Sequence, residues 1–182
     1  MVKEVVEHYG LEAQLGMMME ESGELVLACT EALSSAVIAG CITRSRIDMD
    51  DMTEKLAHTK NTILSVCYLL GAPVEDVCTE EVNGVRAETE SRIIALIGSC
   101  GYLVKCCSKM LRAGGTGYIT PVSVNVAETN LRIAMKNTMA NITGLCRLLG
   151  ISDHELDAEI AKSDQTALER LVDTTEAGPG DE

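Results

Sequence analysis

TEKLAHTKNTILSVCYLLGAPVEDVCTEE, residues 53–81, lies on RIAMKNTMANITGLCRLLGISDHELDAEI, residues 132–160, at a constant offset of 79. Thr59, Ile63, Cys67, Leu69, Leu70 and Gly71 meet Thr138, Ile142, Cys146, Leu148, Leu149 and Gly150. Apolar residues in both copies recur near the helical period and run into a Leu-Leu-Gly stop, so each copy reads as a helix and its exit. Upstream, GELVLACTEAL (23–33) sits opposite GYLVKCCSKML (101–111), anchored on Gly23, Leu25 and Val26 against Gly101, Leu103 and Val104. Agreement in two regions indicates two copies of one helical unit. Duplicated units with apolar faces pack as a pseudo-twofold pair because self-complementary faces bury each other. The expected fold is therefore all-α, a pseudo-twofold helical bundle of tandem units. These units are residues 1–90 and 91–173, followed by an acidic tail, 174–182, that lacks an apolar face and is expected to be disordered.

Between these anchors the chain reads as helix throughout, and nothing alternates like a strand. The spacing predicts helices over about 11–38 and 50–70, a third opened by Pro73 and running to about 90, and a long one over 91–112. The turn-forming AGGTGYITP (113–121) precedes another helix that ends at Gly150. Ser152 with Glu155 forms a capping box for a last helix to about Val172.

Composition narrows the function classes. Hydrophobic residues make up 46% of the 182 positions, without Phe or Trp, a core suited to packed helices. A net charge of −13 with singly scattered cations repels polyanions, so no nucleic-acid polymer is expected as a partner. A small phosphate ligand in a local pocket remains allowed. The eight cysteines form no zinc-type pair and follow no signal peptide, so reduced thiols in a cytosol are the simplest reading. Most are expected as core filler, although adjacent Cys106 and Cys107 are not expected both to point inward. No apolar run is read as reaching the ~18 residues of a membrane span, so no membrane partner is expected.

The candidate chemistry starts in MMMEESGELVLA (17–28), where Glu20, Glu21 and Glu24 crowd one helical turn. Like charges at that spacing repel unless something neutralises them. They are either a solvated face or ligands for Mg²⁺, a hard cation that takes carboxylate oxygens. The apolar flanks on both sides favour a helix buried on most sides.

VEHYGLEAQLGMMMEESGELVLACTEAL (6–33) resembles the first catalytic helix of the all-α nucleoside triphosphate pyrophosphohydrolases, the MazG-like group, in its small form common in phages and their hosts. Glu20, Glu21 and Glu24 match the E-E-x-x-E signature, and His8, Tyr9, Gly10 and Gln14 also look like that form. The resemblance implies MazG-like units whose carboxylates hold magnesium and help a water split a triphosphate into monophosphate and pyrophosphate, with Glu21 the catalytic candidate. It also implies oligomers, here a dimer of pseudo-dimers. The second half of the signature departs. Lys55 stands where its glutamate belongs and His58 where its aspartate belongs, and the family's basic pair appears as Asn83 and Arg86. In the second copy Gly98, Ser99 and Tyr102 replace the three glutamates, with Ala134 and Asn137 at the second motif and Lys162 and Gln165 at the basic pair, so that copy cannot hold magnesium in the family's way.

Exchanging two carboxylates for a lysine and a histidine should weaken any cation cage, and Mg²⁺ is a disfavoured cofactor. Both side chains can instead donate to phosphate oxygens. The candidate ligand residues are thus Lys55, His58, Asn83 and Arg86, with Tyr9 and Tyr102 as rings that could stack on a base. The plainer reading is that Lys55 pairs with Glu24 or Glu21 and closes the site. Asp51, one turn before Lys55, offers a shifted metal ligand.

Three functions follow. The first is a binder of a nucleotide or nucleotide-derived molecule that does not hydrolyse it, in a phage-like setting a sponge for a host immune signal, located in the host cytosol. The second is a Mg²⁺-dependent pyrophosphohydrolase. The third is a helical partner-binding protein without a ligand.

Overall fold

A computed structural model describes residues 2–39, 47–73, 89–114 and 122–176. The described residues form five helices and no strand: α1 (Lys3–Ala39), α2 (Met49–Leu69), α3 (Thr89–Gly114), α4 (Val124–Leu149) and α5 (Asp153–Glu176). The all-α expectation holds. α1 pairs with α2 and α3 with α4, α1 and α3 pack on each other, and α5 lies along α2.

The helix boundaries follow local chemistry. Asp48 caps α2 by accepting from the Asp51 amide at 3.2 Å, and Ser123 caps α4. At α5 the capping box is formed, with Ser152 N and Oγ donating to Glu155 Oε2 at 2.7 Å and the Glu155 amide returning to Ser152 Oγ. α5 runs on through Glu176, beyond the expected end at Val172; residues 177–182 of the expected tail lie outside the described residues. So do 74–88, and with them most of the helix expected after Pro73; Thr89 and Glu90 begin α3 instead. α1 starts eight residues earlier than expected because Val5 and Val6 are buried and hold its first turns against the bundle. It bends at Gly10 (φ 73°, ψ −179°), a conformation open essentially to glycine alone.

Burial repeats at the sequence offsets. Leu15, Met18, Leu25 and Cys29 on α1 and Ile93, Leu96, Leu103 and Cys107 on α3 are all buried. On α2 and α4, Met52, Leu56, Thr59, Ile63, Val66 and Cys67 are buried, as are Leu131, Met135, Thr138, Ile142, Leu145 and Cys146. Both helices also end alike. Gly71 (φ 57°) and Gly150 (φ 66°) are left-handed, and the next amides, of Ala72 and Ile151, reach back to the carbonyls of Cys67 and Cys146, each at 2.9 Å. This Schellman closure needs a residue without a Cβ penalty. Gly71→Ala and Gly150→Ala should therefore each cost about 1 kcal/mol, read as matched shifts in urea midpoint.

Two expectations change. Cys106 and Cys107 are both buried, because α3 is covered by α1 on one flank and α4 on the other. Burial pushes the thiols of Cys29, Cys100, Cys107 and Cys146 up to about 12, which leaves them packing groups rather than nucleophiles. Second, α3 is long and apolar enough to cross a membrane by length and composition, with a mean hydropathy of 1.4 over its best window, contrary to the reading that no such run exists. Ile93, Leu96, Cys100, Leu103, Cys106, Cys107 and Met110 of this helix lie in the core, while 39% of the apolar stretch is buried in all.

Candidate functional site

α1 and α2 bring Glu21 and Glu24 against His58 and Lys55. Thr59 Oγ1 donates to the Glu21 carbonyl at 3.2 Å and fixes the register of the two helices. Lys55 Nζ then lies 2.8 Å from Glu24 Oε2 and 3.0 Å from Glu54 Oε1, and His58 Nδ1 lies 3.5 Å from Glu21 Oε2. The plainer reading of Lys55 is therefore the observed one: it is an internal counter-ion. Hydrogen bonds donated to Glu24 and then to Glu54 hold its ammonium well above the ordinary lysine range. Glu24 is 44% exposed, so the pair contributes only about 0–1 kcal/mol. Its consequence is electrostatic rather than energetic.

Of the remaining predicted residues that are described, Tyr9 lines a cleft beside Glu21 and His58, and the others do not converge. Glu20 is exposed on α1, and Asp51 lies beside Glu31, Ala32 and Asp48, a separate surface recess. Tyr102 is 42% exposed on α3 and does not line the cleft described below. Asn83 and Arg86 lie outside the described residues. Among the described residues no three His, Cys, Asp or Glu side chains gather as a metal-holding group. With an ammonium on Glu24 and an imidazole facing Glu21, the donor set does not fit the Mg²⁺ that the family resemblance implies.

What does open beside Glu21 and His58 is a cleft of about 160 Å³ between α1, α2 and α5. The bend at Gly10 turns Val2, Val5, Val6 and Tyr9 over it as an apolar wall, with Met17 alongside. Gln14, Thr62 and Ser65 form its buried floor. α5 closes the far side with Ser163, Asp164, Ala167 and Arg170. Lys60 with Asp157 at 3.6 Å, and Asn61 Nδ2 donating to Asp164 Oδ1 at 2.9 Å, clamp α5 there. Two acceptors at this cleft are buried: Asn61 Oδ1 finds no hydrogen-bond partner among the described residues, and Glu21 Oε2 has only the long approach of His58 Nδ1 at 3.5 Å. Such orphans are few in folded proteins, and whatever serves them must donate. Asn61 was missed in the sequence, although it lies one turn after His58 on the same face. Asp164 and Arg170 carried no local signal.

The carboxylate of Glu21, whose Oε2 lies 3.5 Å from Nδ1, raises the His58 pKa against the opposing effects of burial and Lys55, and Glu54 adds to the rise. A folded-state value above the ordinary ~6.5 means that the stabilisation is fully present below that pH. It is lost as pH rises through the raised value. The stability gap between the natural chain and His58→Gln should accordingly be widest near pH 6 and shrink by pH 9 in urea titrations. A gap that stays constant or grows would contradict the charged pairing.

Comparison of the chain with known protein families, with curated proteins and with solved structures finds no match in any of the three.

Proposed function

We propose that this chain binds a nucleotide or nucleotide-derived small molecule in the α1–α2–α5 cleft and holds it without cleaving it. In this reading the chain is a degenerate tandem of MazG-like units arranged as a pseudo-twofold bundle. The observation that carries it is the pairing of Lys55 with Glu24 and of His58 with Glu21. Two carboxylates that a divalent cation would need are neutralised from within, and one of the two pairs, Glu21 with His58, lines the cleft, whereas Lys55 and Glu24 do not. Metal-assisted phosphoryl transfer requires an anionic cage to gather cations and activate a water. Binding does not. The volume is below the roughly 300–1,000 Å³ of pockets that engulf a drug-sized ligand, so the cleft takes one ring of the ligand and leaves the rest at its mouth. Matching burial and matching helix exits at offset positions support the tandem origin. A protein that holds such a ligand intact acts by sequestration, and in a phage-infected cytosol the cargo would be a host signalling nucleotide.

A thermal-shift panel of nucleosides, nucleotides and cyclic dinucleotides, each in Mg²⁺ and in EDTA, tests this. At least one should raise the melting temperature equally in both, since a ligand specific to the folded state must stabilise it. If none does, the partner-binding reading replaces this one.

A further inference from the structure

The second copy shows what its counterpart of the cleft contains. At the offset that superposes Gly23 on Gly101, Gln14 corresponds to Arg92. At the offset of 79, Thr62 and Ser65 correspond to Asn141 and Gly144. Gln14, Thr62 and Ser65 form the floor of the cleft in the first copy. In the second, Arg92 lays its guanidinium across the equivalent helix surface. Nη1 donates to Asn141 Oδ1 at 3.3 Å, and a β-carbon at Gly144 would stand 2.9 Å from Arg92 Cζ. The missing side chain at Gly144 is what admits the planar group.

The acceptors are distributed the opposite way. Asn61, whose buried oxygen lacks a donor, and Glu21, whose buried oxygen has only the long 3.5 Å approach of His58, correspond to Ala140 and Ser99, which bring no amide or carboxylate. One copy places a planar donor from its own chain there, with Nε buried and without a hydrogen-bond partner among the described residues; the other supplies acceptors and leaves the floor uncovered. The group that fits the first copy is flat, ring-sized and carries adjacent N–H donors, like the guanidinium it replaces. His58 already offsets the charge of Glu21, so a neutral donor edge suits the site better than a second cation. Among the common bases, guanine alone presents two neighbouring N–H donors, N1–H and N2–H₂, with no acceptor between them. Adenine and cytosine pair their amine with a ring acceptor, and uracil flanks its one N–H with carbonyls. The aliphatic wall of Val5, Val6 and Met17 supplies the apolar contact that a purine face requires.

We propose that the cleft recognises a guanine base, with Glu21 and Asn61 accepting from its N1–H and N2–H₂ edge. This rests on the reading that the cleft binds a nucleotide-derived ligand. Water serving the same two oxygens would be displaced by a group that reproduces its donors.

Isothermal titration of the full chain with guanosine, inosine, adenosine and agmatine tests it. Guanosine should bind. Inosine, which lacks the N2 amine, should bind roughly tenfold more weakly or worse, with adenosine and the guanidinium-bearing agmatine weaker again. Glu21→Gln should lose guanosine affinity by a similar factor while keeping its helical circular dichroism. Independently, Gln14→Arg combined with Ser65→Gly rebuilds the second copy's arrangement in the first. That variant should keep its helical circular dichroism and no longer bind guanosine. Adenosine binding as well as guanosine, agmatine binding in its place, or full guanosine affinity in the Gln14→Arg/Ser65→Gly variant would each overturn the proposal. Another nucleoside that binds in a Glu21-dependent way overturns guanine alone and leaves nucleotide binding standing. Failure of every nucleoside and nucleotide removes both.

Discussion

Lys55→Glu combined with His58→Asp should produce a protein that Mg²⁺ stabilises, where the natural chain is indifferent to it. The natural side chains at these positions already reach Glu24 at 2.8 Å and Glu21 at 3.5 Å. Carboxylates set there would meet the α1 pair at distances a shared hard cation can bridge. Without metal, four carboxylates would face one another and the variant should melt below the natural chain, because two internal pairs become like-charge contacts. At Mg²⁺ about a hundredfold above its Kd the gain is about 2.7 kcal/mol, or an upward shift of roughly 5–10 °C for a chain of this length. Calorimetry in Mg²⁺ and in EDTA reads both arms. A double variant that melts identically in the two solutions would show that the backbone no longer presents a metal geometry.

Leu25→Ala and Leu103→Ala should each cost about 2–5 kcal/mol, among the largest effects available to single substitutions here. Both leucines are wholly buried, on α1 and α3, which pack on each other. Each truncation removes transfer energy and leaves a cavity in a core with no Phe or Trp to lean into it. Their equivalence under the offset adds a sharper expectation, that the two costs agree more closely than those of unrelated buried leucines. Urea unfolding of the two variants gives the comparison, and widely different costs would argue that the two offset segments differ in packing as well as in chemistry.

Much of the fold was legible because it rests on local signals. Gly71 and Gly150 mark helix exits through a backbone conformation that side chains resist, and Ser152 with Glu155 marks an entry through reciprocal hydrogen bonds. The repeat carried the packing pattern, since apolar positions that agree at a fixed offset are buried alike. Adjacent Cys106 and Cys107 were misread because one helix face was assumed, whereas α3 is covered on two flanks. The bend at Gly10 was also hidden, as glycine alone does not reveal which of its many conformations it adopts.

The site was half legible. Glu21, Glu24, Lys55 and His58 stood out as acidic and basic groups at helical spacing, and α1 and α2 do bring them together. The cleft beside them depends on α5, whose Asp164 meets Asn61 across 103 residues of sequence. No local pattern encodes that meeting. It arises from docking α5 on α2, and docking is settled by the whole core.

The most direct measurement is recovery of the ligand. The chain is incubated with guanosine triphosphate, and with whichever nucleotide the thermal panel selects, in Mg²⁺, then heat-denatured, and the released material is separated by chromatography. The account predicts that the nucleotide returns intact and stoichiometric with protein. Monophosphate and pyrophosphate, formed catalytically and lost in Glu21→Gln, would contradict it.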